Sequence, residues 1–149
     1  MKKAICRLVL FFSVLFCIYI SYDVEAKTIY TGGLVKKNSK LYKVSKEYGW
    51  GYVYKLKIKG NKIIIYGNMK KKTSGSDEGR LLGEGKSVFK ITKKTKYCEY
   101  AGMDENGKEV VVNLSKKKFL KEYKRIRYQG VGMGIVVKKG KVVKISFNS

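Results

Sequence analysis

The stretch from Tyr52 to Tyr66 restricts the fold more than any other part of the chain. Tyr52-Val53-Tyr54-Lys55-Leu56-Lys57-Ile58-Lys59 alternates apolar with basic residues, Gly60-Asn61 supplies a turn, and Ile63-Ile64-Ile65-Tyr66 returns. A period of two bounded by a turn pair is the pattern of a β-hairpin. Two further hairpins are predicted. Asn106-Gly107, a pair suited to tight left-handed turns, lies between Tyr97 to Met103 and Glu109-Val110-Val111-Val112. Gly134-Ile135-Val136-Val137 and Val142 to Phe147 flank a turn over Lys138 to Gly140. Val88-Phe89-Lys90-Ile91 reads as an isolated strand, and Thr28 to Lys46 as one or two weaker edge strands. Gly67 to Lys86, rich in Gly, Lys and Ser, reads as a flexible loop.

One helix is expected, over about residues 115–125. Ser115 can cap it, and Phe119, Leu120 and Tyr123 form one apolar face. Three lysines in its first turn oppose the helix dipole, so packing must hold it. The fold class is therefore mainly β: a small OB-like barrel or curled antiparallel sheet of about six to eight strands, with this helix between strands. The chain has no proline, so edge protection rests on lysine.

Upstream lies the pattern of a secretory leader. Met1-Lys2-Lys3 and Arg7 are followed by an apolar run from Leu8 to Ile20 and an exit at Val24-Glu25-Ala26, placing cleavage between Ala26 and Lys27. Thirteen residues from Leu8 to Ile20 fall short of the roughly 20 needed to span a membrane. Cys17 lacks the small preceding residue of a lipid-attachment signal. The expectation is an exported, secreted or wall-associated protein with residues 1–26 removed, residues 27–149 forming one domain and no transmembrane helix in the mature part.

That domain carries one positive charge fewer than the chain's +23, since the leader holds three cations and two acids. Such a surface attracts polyanions. Lysine makes up 30 of the 34 cations, which favours diffuse attraction over bidentate phosphate recognition. Abundant Lys, Ile, Tyr and Asn is equally what an A+T-rich genome produces by drift. Candidate anion-binding residues are Lys55, Lys57 and Lys59 on one strand face, Lys70, Lys71 and Lys72 in the loop, and Lys116, Lys117, Lys118, Lys121, Lys124, Arg125 and Arg127 on and after the helix. For any single run, a solvated face is the simpler reading.

Tyr48, Trp50, Tyr52 and Tyr54 recur at every second residue with Gly49 and Gly51 among them, which on a strand puts all four rings on one side. They continue into Leu56 and Ile58, so the inner face of a barrel is the first reading. A platform on which bases or sugar faces stack is the second.

Catalytic motifs fail on inspection. The chain has no histidine, so Cys-His and Ser-His-Asp sites cannot be built. Cys98 is the lone cysteine after the leader and reads as a buried thiol. Gly83-Glu84-Gly85-Lys86-Ser87 ends like a P-loop, but Arg80 stands where the first glycine belongs. Ser87-Val88-Phe89-Lys90 and Ser115-Lys116-Lys117-Lys118 match S-x-x-K, and about two such matches are what chance gives in so lysine-rich a chain. Asp104-Glu105-Asn106-Gly107 lacks calcium-loop spacing and reads as a turn. Asn113-Leu114-Ser115 is a formal glycosylation sequon, expected to go unused in a bacterium.

Thr95-Lys96-Tyr97, Asp104 to Glu109, Leu114-Ser115 and Gly140 to Ile145 together resemble the C-terminal half of small OB-like barrels of exported bacterial proteins. The resemblance implies that fold and carries over no catalytic residue. The functional expectation is a non-catalytic exported domain that binds an anionic cell-wall polymer, acidic glycan or anionic membrane surface, with no cofactor or metal; nucleic acid would bind only as a non-specific polyanion. The alternative is a protein-interaction module whose lysines only solubilise. A carboxylate enzyme using Glu84, Glu99 or Glu122 is a third reading, and needs two carboxylates facing one cleft.

Overall fold

The computed structural model describes residues 26–148. The leader expected over residues 1–26 lies outside them except for Ala26. In chain order the elements are β1 (Thr28–Leu34), α1 (Lys40–Glu47), β2 (Tyr52–Lys59), β3 (Lys62–Asn68), β4 (Lys70–Thr73), β5 (Arg80–Leu81), β6 (Gly85–Lys90), β7 (Lys96–Met103), β8 (Glu109–Leu114), α2 (Lys116–Ile126), β9 (Gly132–Lys138) and β10 (Lys141–Asn148). The strands form one mixed sheet in the order β5-β4-β1-β2-β3-β6-β10-β7-β8, with β9 joining β1 to β10.

The three expected hairpins, β2–β3, β7–β8 and β9–β10, are all present, and β6 pairs with β3. Pairings run round a circuit from β1 through β2, β3, β6, β10 and β9 back to β1. Two seams are thin: β1 meets β2 at two register positions and β10 meets β6 at one. The result is a curled sheet and not a clean barrel, and its β1–β2, β6–β10 and β7–β10 pairings are parallel where an antiparallel sheet was expected.

The inner face holds the core. Leu56, Ile63, Ile65, Met133, Ile135 and Ile145 are buried there, and α2 closes one end by stacking Phe119 on Phe147 with ring centroids 4.4 Å apart. The Ser115 hydroxyl accepts from the Lys118 N–H and caps that helix, as its sequence predicts. The Tyr123 hydroxyl accepts from the Leu56 N–H at 2.9 Å, so α2 also satisfies β2 backbone beyond the point where β1 leaves it. Cys98 is buried beside Asn113.

Three expectations are corrected. Thr28–Leu34 is a central strand with neighbours on both sides, not an edge. Residues Lys40–Glu47 form a second helix. The Ser39 hydroxyl accepts from the Tyr42 N–H at its start. At its end the Trp50 N–H donates to Ser45 and the Gly49 N–H to Lys46, with Gly49 at φ 66°, a Schellman motif. Finally, the loop expected over Gly67 to Lys86 is in part sheet: β3 continues through Met69 into β4, β5 pairs back on β4, and β6 begins at Gly85, leaving 74–79 and 82–84 as connections.

The curl depends on backbones packing closer than any side chain permits. A Cβ on Gly67 would lie 2.1 Å from the Tyr52 carbonyl oxygen, and one on Gly51 2.6 Å from that of Thr31. Gly67→Ala is therefore expected to destabilise the fold by about 2–3 kcal/mol or more. Gly85→Ala, which enters open space, should change it by less than about 0.5 kcal/mol. Urea unfolding midpoints compare the two.

Candidate functional site

The register of β2, β3 and β6 arranges the outer face of the sheet. Opposed residues on neighbouring strands share a face, which gives the rows Lys59–Lys62–Lys90, Lys57–Ile64–Val88 and Lys55–Tyr66–Lys86. The intervening rows, Ile58–Ile63–Phe89 and Leu56–Ile65–Ser87, turn inward to the core. The outer face thus carries six lysines and no carboxylate around an apolar centre. Rows are about 6.7 Å apart and strands about 4.8 Å apart, by ordinary strand geometry. The Lys55 ammonium lies over the Tyr66 ring, 5.4 Å from its centroid.

Lys55, Lys57 and Lys59 are the candidates that this lattice gathers. Lys62, Lys86 and Lys90 join them without having been expected; the two-residue Gly60-Asn61 turn could have given Lys59↔Lys62, but the pairing of β6 on β3 has no local signal. The other candidates lie elsewhere. Lys70, Lys71 and Lys72 sit on β4 between β1 and β5. Lys117, Lys118, Lys121 and Lys124 are exposed on α2, where Arg125 pairs with Glu122, while Arg127 stacks over Tyr128. Lys116 alone reaches the lattice's end, donating to the Gly60 carbonyl at 3.4 Å.

The aromatic run does not form one stripe. Tyr48 caps α1, Trp50 follows it, and β2 begins only at Tyr52. A bulge between Val53 and Lys55 then shifts the phase, so Val53, Leu56 and Ile58 pack in the core while Tyr52 and Tyr54 pack on the outer side against Tyr42 of α1. Tyr52 is buried and Tyr54 half-buried, whereas Tyr48 and Trp50 are 66% and 54% exposed and stack on one another at 5.5 Å. The inner-face reading fails for Tyr52 and Tyr54: Tyr52 is buried, but on the outer side beneath α1, because the bulge reverses the phase of β2. An open aromatic surface is found at Tyr48 and Trp50.

Beside Trp50 lies a recess of about 240 Å³ lined by Ser45, Lys46, Trp50, Tyr52, Asn68, Leu81 and Glu84. Tyr52 and Asn68 are register partners, one row beyond Lys55–Tyr66–Lys86, so the recess continues the lattice's own face and α1 walls its end. Glu84 accepts from the Tyr42 hydroxyl at 2.8 Å, the Tyr52 hydroxyl at 3.0 Å and the Lys46 ammonium at 3.2 Å. These bonds, that from Tyr42 foremost, hold its carboxyl below the usual glutamate range. Burial, reinforced by Glu84, pushes the Tyr52 hydroxyl well above the ordinary tyrosine value. Asn68 Oδ1 accepts from the Gly83 N–H at 2.8 Å. The Ser45 side chain is buried, and its hydroxyl makes no hydrogen bond among the described residues.

Glu84 is the one carboxylate lining this recess. Glu122 pairs with Arg125 on α2, and Glu99 lies on β7 opposite Val112. Among the described residues, no cluster of three or more His, Cys, Asp or Glu could hold a metal. Asp104 accepts from the Asn106 and Lys108 N–H groups and so serves its turn. Comparison with family models, curated proteins and solved structures finds no match.

Glu84 has a depressed folded pKa, so its contribution to stability is present above the ordinary glutamate range and is lost as pH falls through the lowered value. Tyr52 has a raised one, so its contribution is present below about pH 10 and is lost as pH rises through the raised value. The stability deficit of Glu84→Gln relative to the wild type should therefore shrink between about pH 5 and pH 3, and that of Tyr52→Phe should shrink above about pH 10. Denaturant midpoints across the pH range measure both.

Proposed function

We propose that this chain is an exported, non-catalytic binding domain for an anionic polymer or surface, and that the β2–β3–β6 face is its contact surface. The carrying observation is the lattice of Lys55, Lys57, Lys59, Lys62, Lys86 and Lys90, uninterrupted by any acid and centred on Ile64, Tyr66 and Val88. Six lysines on one rigid face, with no acid among them, form a fixed positive field that an opposite charge relieves. Lysine's compact ammonium suits repeated phosphate, sulfate or carboxylate groups read for charge and not for shape. Export rests on the leader pattern of residues 1–26. Among the described residues no helix is long and apolar enough to cross a membrane.

A second reading, a protein-interaction module, is favoured by β8. This strand ends the sheet order, Val110, Val111 and Val112 are each partly exposed on it, and no cation occurs between Lys108 and Lys116. It is the long edge that lysine does not guard, and an extended partner segment could pair with it.

Binding of the purified protein to teichoic acid, heparin, duplex DNA and anionic vesicles across a salt series tests the first reading. Lys55→Glu/Lys57→Glu/Lys59→Glu should weaken the preferred ligand tenfold or more and flatten its salt dependence, whereas Lys117→Glu/Lys121→Glu/Lys124→Glu should cost no more than about threefold. Equal losses from both triples would make the attraction generic and shift the function to β8, where Val110→Lys/Val112→Lys should abolish partner binding.

A further inference from the structure

The end of the lysine face differs in chemistry from the rest of it. From the Lys59 row to the Tyr52–Asn68 row is three row steps, about 20 Å along the strands. The last step passes from ammonium groups to a recess whose groups are mixed donors and acceptors beside an indole face. Tyr42, Tyr52 and Lys46 hold Glu84 in place. The Ser45 hydroxyl is buried and without a hydrogen bond among the described residues, and the Asn68 side chain uses only its carbonyl oxygen, on Gly83. A buried polar group without a partner costs free energy that a ligand hydroxyl would recover. Trp50, stacked on one side by Tyr48, keeps more than half its surface open.

We infer that this recess is a sugar subsite, and that the polymer held on the lysine face is an acidic glycan. The inference rests on the polyanion reading and narrows it. A pyranose has an apolar C–H face to lie on Trp50 and a ring of hydroxyls that both donate and accept, which is what Ser45, Asn68, Lys46 and Glu84 offer. Glu84 and Lys46 neutralise each other at the recess, so charge does not select what enters it. Lipid tails find no apolar cavity there, and a sugar-free polyphosphate would find no ring partner for the indole. Carboxylate or sulfate groups on the following residues of the glycan would fall over the Lys55, Lys57 and Lys59 rows.

Trp50 is the chain's single tryptophan, so its fluorescence reports this recess alone. The test titrates the purified protein with oligogalacturonate, inorganic polyphosphate, an uncharged gluco-oligosaccharide and a single-stranded oligonucleotide, for the wild type, Trp50→Ala and Lys55→Glu/Lys57→Glu/Lys59→Glu. Affinity is read by calorimetry and, where Trp50 is present, by its emission. Oligogalacturonate should shift Trp50 emission saturably, and Trp50→Ala should raise its Kd tenfold or more. Polyphosphate should leave the emission unchanged and bind the Trp50→Ala variant as well as the wild type. Emission unmoved by oligogalacturonate, with both polyanions lost together in the lysine variant, would overturn the sugar subsite and leave the polyanion reading standing. Equal emission responses to charged and uncharged oligosaccharides, unaffected by the lysine variant, would keep the subsite and overturn the anionic polymer. Oligonucleotide binding that shifts Trp50 where oligogalacturonate does not would make the surface a base-stacking one. Should Trp50→Ala fail to fold, the wild-type emission titrations alone separate these outcomes.

Discussion

Everything on the outer face depends on a close approach of backbones at one corner of the sheet. There β1 changes neighbour from β4 to β2, and β3 runs past the start of β2 into β4. Gly51 and Gly67 let the chains come within distances at which a Cβ would meet a carbonyl oxygen, and a Cβ on Gly32 would lie 3.1 Å from the Tyr52 nitrogen. Because β3 can continue through that corner, the sheet curls instead of running flat. Because β2 bulges opposite Gly67, its phase changes: Val53 turns inward with Leu56, and Tyr52 turns outward to meet Tyr42. Without the bulge Tyr52 would fall on the core side and α1 would have no aromatic floor to pack on.

The same curl sets the cost of the lysine face. Two ammonium groups about 7 Å apart repel by about 0.6 kcal/mol in water before salt screening, and lysine stems splay to reduce it. A strand pair has no way to move the rows further apart, since the inner residues Leu56, Ile63 and Ile65 are locked in the core. Packing on one face therefore holds together charges on the other that would otherwise separate, and a ligand of opposite sign that binds this face more tightly than the unfolded chain stabilises the folded form by mass action. This gives the lysine-rich composition a physical consequence whether it arose by drift or by selection.

Local signals make the hairpins legible: Gly60-Asn61 and Asn106-Gly107 sit between alternating runs, and Ser115 stands before an apolar helical face. What escapes is non-local or disguised. Helix α1 is short, half its residues are charged, and its terminating Gly49 falls between Tyr48 and Trp50 so that the spacing imitates a strand. The Ser39 cap and the glycine ten residues later are the signs of it that the chain offers. The segment from Gly67 to Lys86 has a loop's composition, yet half of it forms strands, because β4 pairs along β1 and β5 folds back on β4. The parallel pairings of β10 with β6 and β7 leave no trace in sequence, and two of the six lattice lysines, Lys86 and Lys90, join it only once β6 lies beside β3. The candidate site is legible in its residue types and not in its grouping: Trp50 and Glu84 each stand out in the sequence, for different reasons, in segments that touch one recess only in the fold.

Glu84 shows how one acid can organise a basic surface. It belongs to Gly83-Glu84-Gly85-Lys86-Ser87, which imitates a phosphate loop yet supplies a strand start, and its carboxylate faces two tyrosines and a lysine instead of an anion. Through those three bonds the loop before β6 is tied to α1 and to β2, so the wall and floor of the recess are fixed by side chains from three elements. The carboxylate also lowers the positive potential at that end of the face alone. A uniform lysine field would draw any polyanion into any register; a field that ends at a neutral, hydroxyl-lined recess under an indole would give a polymer bound as we propose an end and a direction. Replacing Glu84 by an apolar residue would leave the charge attraction in place or increase it. The loss would fall instead on the alignment of Tyr42, Tyr52 and Lys46, and with it on the sugar selectivity we propose for the recess.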